Sequence, residues 1–90
     1  MEELKVGKWY KRKEISKTNG WLAYTKLLTV DVLNNQQSYN ERINGDGEYI
    51  KLKRNSYCTF NNFTLLTDLS EIIPFLPKNH PDIKIIHEIW

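Results

Sequence analysis

Cysteine is almost missing from this chain. Cys58 stands alone among 90 residues, so no internal disulfide can form, and the expected setting is a reducing cytoplasm. Long hydrophobic runs are missing too. No stretch approaches the length of a membrane span, and Met1-Glu2-Glu3-Leu4-Lys5 has no apolar run of the signal-peptide kind, so the expectation is a soluble, intracellular protein with no membrane partner. The two histidines, His80 and His87, have neither helical i, i+4 spacing nor a paired cysteine, so neither a metal nor another cofactor is expected. His80 reads as a turn residue bonded to nearby backbone. A nucleophile in a glycine-rich elbow is lacking, and Cys58, between Tyr57 and Thr59, reads as a small buried strand residue. Asp46 and Glu48 flank a turn as solvated charges and do not form an acid–base pair. The expectation from these absences is a protein that is not an enzyme.

What is present is an aromatic-rich chain of mixed charge. Hydrophobic residues make up 40% and aromatics 12%, too apolar for a disordered segment, and the length suits one modest core. The net charge of +2 is unevenly placed, with eleven Lys and Arg against seven Asp and Glu in residues 1–54, and two against four in residues 55–90. The basic charge therefore lies on the part that reads as strands.

In residues 7–15, Trp9, Lys11 and Lys13 share one face of an extended segment, and Tyr10, Arg12 and Glu14 share the other. Thr18-Asn19-Gly20 signals a turn into a strand over 21–30, which gives a hairpin. Asn34-Asn35 is the next turn, followed by a polar strand over 36–43 with Tyr39 and Ile43 as anchors. Asn44-Gly45-Asp46-Gly47 is the clearest turn, because Asn-Gly and Asp-Gly accept positive φ cheaply. Residues 48–54 alternate cleanly, with Ile50 and Leu52 inward and Tyr49, Lys51 and Lys53 outward. A further strand over 57–66 breaks at Asn61-Asn62.

The segment from Thr67 onward holds all three prolines, Pro74, Pro77 and Pro81. Asp68 or Ser70 can cap a helical turn over about 68–76 that buries Leu69, Ile72, Ile73 and Leu76, and Pro74 keeps it short. The expected fold is mainly β: a small, partly closed barrel of five or six strands, SH3-like ahead of OB-like because the loops are short, with a short C-terminal helical turn. Residues 1–82 form one domain. Residues 83–90 are a sixth strand or a docking tail.

Two surfaces are candidates for binding. Lys8-Trp9-Tyr10-Lys11-Arg12-Lys13 interleaves rings and cations as a nucleic-acid surface does, and Lys51, Lys53 and Arg54 extend it. The competing reading makes Trp9 a core residue and the lysines a solvated face that protects an edge strand. Tyr39, Tyr49 and Trp90 suit protein-binding anchors, or else pack on their own sheet.

Asp68-Leu69-Ser70-Glu71-Ile72, then Leu76-Pro77 and His80-Pro81-Asp82, together with the opening strand Gly7-Lys8-Trp9-Tyr10, resemble small proteins of phages and prophages from Bacteroidetes-type hosts. The resemblance runs to about Asp82, and the tail 83–90 departs from it. The chain also looks like an anti-CRISPR protein, an inhibitor of the RNA-guided RNase Cas13b. That resemblance implies a host nuclease as partner, met through a surface without catalytic residues. On this expectation Lys8, Lys11, Arg12, Lys13, Lys51 and Lys53 steer the partner, and Tyr49 and Trp90 anchor it. The alternatives are an RNA- or DNA-binding barrel in which Tyr10 and Tyr24 stack on bases, and a structural phage component assembled through the Ile83–Ile89 strand.

Overall fold

A computed structural model describes residues 4–14 and 20–83, in which six strands form a single antiparallel sheet. The strands are β1 (Trp9–Arg12), β2 (Leu22–Lys26), β3 (Thr29–Asp31), β4 (Gln36–Asn44), β5 (Tyr49–Cys58) and β6 (Phe63–Leu65). One edge of β4 is shared by β3 and β2, its other edge carries β5, and β1 and β6 continue the sheet beyond β2. The sheet curls into a half-barrel, because β5 and β6 stay unpaired with each other. The mainly β architecture expected from the strand pattern is the one the chain adopts.

The expected strand over 21–30 is two strands, both paired with β4 in one continuous register, Thr25 opposite Arg42 and Thr29 opposite Ser38, and the break falls where the pairing with β1 ends. Leu27 N–H donates to the Lys8 carbonyl, while Leu28 N–H donates to the Ser38 carbonyl on β4. Leu27 is the last residue bonded to the β1 side, and its side chain lies fully in the core. The strand expected over 57–66 is likewise divided. Its first residues extend β5 to Cys58, and a turn closed by Phe63 N–H on the Phe60 carbonyl precedes β6.

The turns follow their residue types. Gly47, at φ +92°, closes the β4–β5 hairpin, with its N–H on the Asn44 carbonyl. Asp31 accepts from both the backbone and side-chain N–H of Asn34, which turns β3 into β4.

Trp9 and Tyr10 are neighbours on β1, so their rings lie on opposite faces of the sheet. The first core gathers Trp9, Ile43, Leu66, Leu69, Ile72 and Leu76; the second gathers Tyr10, Leu27, Tyr39, Phe60 and Phe63. Four of the six residues of the first core, Leu66, Leu69, Ile72 and Leu76, come from the segment after β6. Asp68 caps the 3-10 turn Leu69–Glu71 by accepting from Ser70 N–H, and a second 3-10 turn, Ile73–Phe75, carries Pro74 in its first turn. As expected, Leu69, Ile72 and Leu76 are buried, with Ile73 half-buried against them. A further 3-10 turn over 81–83 brings Ile83 onto the same core, so the body extends to the last described residue. The tail 84–90, with Trp90, and the turn residues Thr18 and Asn19 lie outside the described residues.

Candidate functional site

The densest concentration of polar chemistry sits under the C-terminal segment. Glu41 on β4, His80 and Asp82 are all buried, with Lys26 of β2 and Tyr49 of β5 beside them. Asp82 N–H donates to His80 Nδ1 at 3.0 Å, which leaves the ring proton on Nε2, where it donates to Glu41 Oε1 at 2.5 Å. The same Glu41 oxygen accepts from the Tyr49 hydroxyl at 2.6 Å. Asp82 Oδ2 accepts from Trp9 Nε1 and pairs with Lys26 Nζ, both at 2.8 Å.

Burial opposes a charge on Glu41, but hydrogen bonds from Tyr49 and His80 and the Lys26 ammonium outweigh it and hold the carboxyl below its ordinary range. Burial, together with the bonded Glu41 carboxylate, pushes the Tyr49 hydroxyl well above the usual tyrosine range. Both imidazole nitrogens of His80 are engaged, so the ring works as a latch, tying residues 77–83 to β4. Cys58 belongs to the other face, and its thiol is raised by burial more than the Arg12 guanidinium lowers it.

A second link lies at the segment's start. Glu71 Oε1 accepts from the Tyr24 hydroxyl at 2.8 Å and from Lys11 Nζ at 2.6 Å. Burial, with the hydrogen bond to Glu71 and its negative charge, pushes the Tyr24 hydroxyl upward, as Glu41 does for Tyr49.

The basic residues expected to form one patch are divided between surfaces. Lys8 is half-buried, Lys11 is bridged to Glu71, and Lys13 is exposed. Arg12 points to the opposite face from Lys11, and its guanidinium lies 4.5 Å from the Trp21 ring centroid and 5.3 Å from that of Phe63. Lys51 and Lys53 are exposed on β5 together with Arg54; Lys51 Nζ, on a side chain 61% exposed, stands 4.0 Å from Glu41 Oε2.

The rings offered by sequence as binding groups are used internally. Tyr10 is 3% exposed and Tyr39 6%, which removes Tyr10 as a base-stacking platform and Tyr39 as a surface anchor. Tyr49, expected to point outward, packs edge-on against His80 with ring centroids 5.7 Å apart and bonds Glu41; it is a brace of the latch.

Strand β5 is unlike the others. Lys51 stands opposite Glu41 and Ser56 opposite Tyr39, so the four residues 52–55 face Asn40 alone. This bulge throws Lys53, Arg54 and Asn55 into solvent. The strand has no acidic residue, and among the described residues no strand pairs with its outer edge.

Two concavities complete the surface. A groove of about 830 Å3 opens beside the second core, lined in part by Leu4, Val6, Val30, Val32, Phe60 and Phe63. A pocket of about 200 Å3 lies at the end of β1, lined by Arg12, Lys13, Glu14, Trp21 and Asn62. Arg12 Nε and Trp21 Nε1, on two of its lining residues, are buried from solvent and have no hydrogen-bond partner among the described residues. Such a donor costs about 1–3 kcal/mol when left unmade.

The buried cluster escaped sequence reasoning because Glu41 and His80 are 39 residues apart and neither stands in a motif. Comparison with protein-family models, with curated proteins and with solved structures finds no match to this chain.

Proposed function

We propose that this chain is a phage-encoded, non-catalytic binding protein that inhibits a host defence nuclease in the bacterial cytoplasm, in the manner of an anti-CRISPR protein. The observation that carries this reading is the outer face of β5, where exposed Lys51 and the bulged Lys53 and Arg54 stand beside a strand edge that no described strand pairs with, on an otherwise nearly neutral molecule. Local positive charge on a rigid sheet attracts and orients an acidic surface. The polar cluster under the C-terminal segment supports the same reading, since its hydrogen bonds are spent in holding the fold.

The test uses a purified, guide-loaded Cas13b-type RNase with its target RNA and a fluorescent RNA reporter. Inhibition that saturates near one protein per effector supports the proposal. Undiminished cleavage at a large molar excess overturns the choice of target.

The RNA-binding alternative loses its proposed stacking rings, because Tyr10 is buried and the Tyr24 hydroxyl is committed to Glu71. Phosphate contacts through lysine alone would leave it strongly salt-dependent, roughly 0.7 in log–log slope per contact on a single strand.

A further inference from the structure

The two ring nitrogens of His80 do opposite work. Nε2–H donates to Glu41 Oε1, whereas Nδ1 accepts from Asp82 N–H at 3.0 Å. A backbone N–H cannot become an acceptor. The bond that closes residues 80–82 therefore needs an imidazole with no proton on Nδ1, which is the neutral Nε2–H form.

An acceptor for a proton at Nδ1 stands close by. Asp82 Oδ2 lies 3.9 Å from Nδ1, beyond hydrogen-bond reach, and is held there by Trp9 Nε1–H and Lys26 Nζ, each at 2.8 Å. Four charged or titratable groups on other elements surround the ring. Glu41 of β4 bonds it directly, and Lys26 of β2 and Lys51 of β5 each stand 4.0 Å from the second Glu41 oxygen. Tyr49 of β5 bonds Glu41 and sets its ring edge-on to the imidazole, while the Trp9 indole of β1 brings no charge. Glu41 and Asp82 against Lys26 leave one net negative charge around the neutral ring, since Lys51 reaches Glu41 only from the exposed rim.

We propose that His80 is a proton-operated switch in the C-terminal segment: a proton on Nδ1 displaces the Asp82 N–H, and the Asp82 carboxylate swings onto the imidazolium and off the Trp9 indole. The Nε2–H bond to Glu41 is kept and now carries charge on both sides. The segment thus stays latched to β4 while its link to β1 opens. This device is independent of the β5 surface and of the nuclease reading.

The experiment follows the imidazole nitrogens, the indole N–H signals and the Asp82 amide of the full 15N-labelled chain from about pH 8 to about pH 5. At the upper end the His80 proton should be on Nε2, with Nδ1 bare. As pH falls, protonation of Nδ1 should share one midpoint with movement of the Asp82 amide and an upfield shift of the Trp9 indole proton, whose bond to Asp82 opens. The Trp21 indole, beside Arg12, should not follow that step. Glu41 takes up its proton in a lower window, so it does not imitate the step.

His80→Gln puts an amide without a titrating proton in the same place and should abolish the Trp9 step. Where that variant loses its dispersed amide signals, it has not folded and the wild-type titration decides. A proton on Nδ1 at the upper end, a ring that stays neutral across the range, a Trp9 signal that ignores His80 protonation, or a Trp9 step that survives in folded His80→Gln would overturn the switch.

Discussion

Trp9 donates its indole N–H to the Asp82 carboxylate across 73 residues of sequence, joining the first strand to the last described turn at 2.8 Å. Lys26 closes on the same oxygen at 2.8 Å. A single carboxylate thus fixes the C-terminal segment over the curled sheet, and the apolar contacts of Leu69, Ile72 and Leu76 are held in register beneath it.

Removing that carboxylate should therefore be expensive. Asp82→Ala strands a buried indole donor and the Lys26 ammonium, and a loss of about 3–5 kcal/mol is expected in urea unfolding. Asp82→Asn keeps an acceptor for Trp9 and should lose less. Equal loss in the two variants would show that the hydrogen bond contributes nothing beyond the charge.

Acid should loosen the same segment. The Glu41 carboxyl is depressed below its ordinary value of 4.5, so its contribution to stability is present in full above that value and disappears as pH falls through the lower, folded value. Stability measured by urea at a series of pH values should decline over that window, and Glu41→Gln should flatten the decline while lowering stability at pH 7.

Alkali gives the mirror case. Tyr24 and Tyr49 have hydroxyl pKa values raised above the ordinary 10.0, so the stability they contribute is complete below that pH and is lost as pH climbs toward their folded values. Absorbance titration should show tyrosines that ionise only with unfolding, and Tyr24→Phe with Tyr49→Phe should remove that late phase.

Gly47→Ala should destabilise the β4–β5 hairpin by about 1–2 kcal/mol, read from the thermal midpoint. The backbone stands at φ +92°, and an added Cβ would lie 3.1 Å from the Phe75 ring. The loss should fall when Phe75→Ala is made in the same chain, leaving the part due to φ alone.

What sequence could reveal followed local physics. The Asn44–Gly47 turn and the Asp68 cap were legible because they depend on residues a few positions apart. The break at Leu27–Leu28 was not, since the run is uniformly strand-like and only the end of its pairing with β1 divides it, while β4 stays its partner throughout. Tyr49 and Lys51 do share one face, but it is the face that the C-terminal segment covers, so Tyr49 meets His80 and Glu41 while Lys51 stays exposed at the rim. The setting of Arg12 was half legible: the cations Lys11, Arg12 and Lys13 stand together in sequence, while the rings beside Arg12 are Trp21, just before β2, and Phe63 of β6.

The most direct test of the binding proposal is the affinity of a guide-loaded Cas13b-type RNase for the wild-type chain and for a variant with Lys51→Glu, Lys53→Glu and Arg54→Glu. Both proteins should be shown to be folded by an unmoved Trp9 indole signal. The account predicts that the reversed charges abolish binding and inhibition together, a loss of about a hundredfold or more. Undiminished binding by the charge-reversed chain would contradict it and remove β5 as the docking surface.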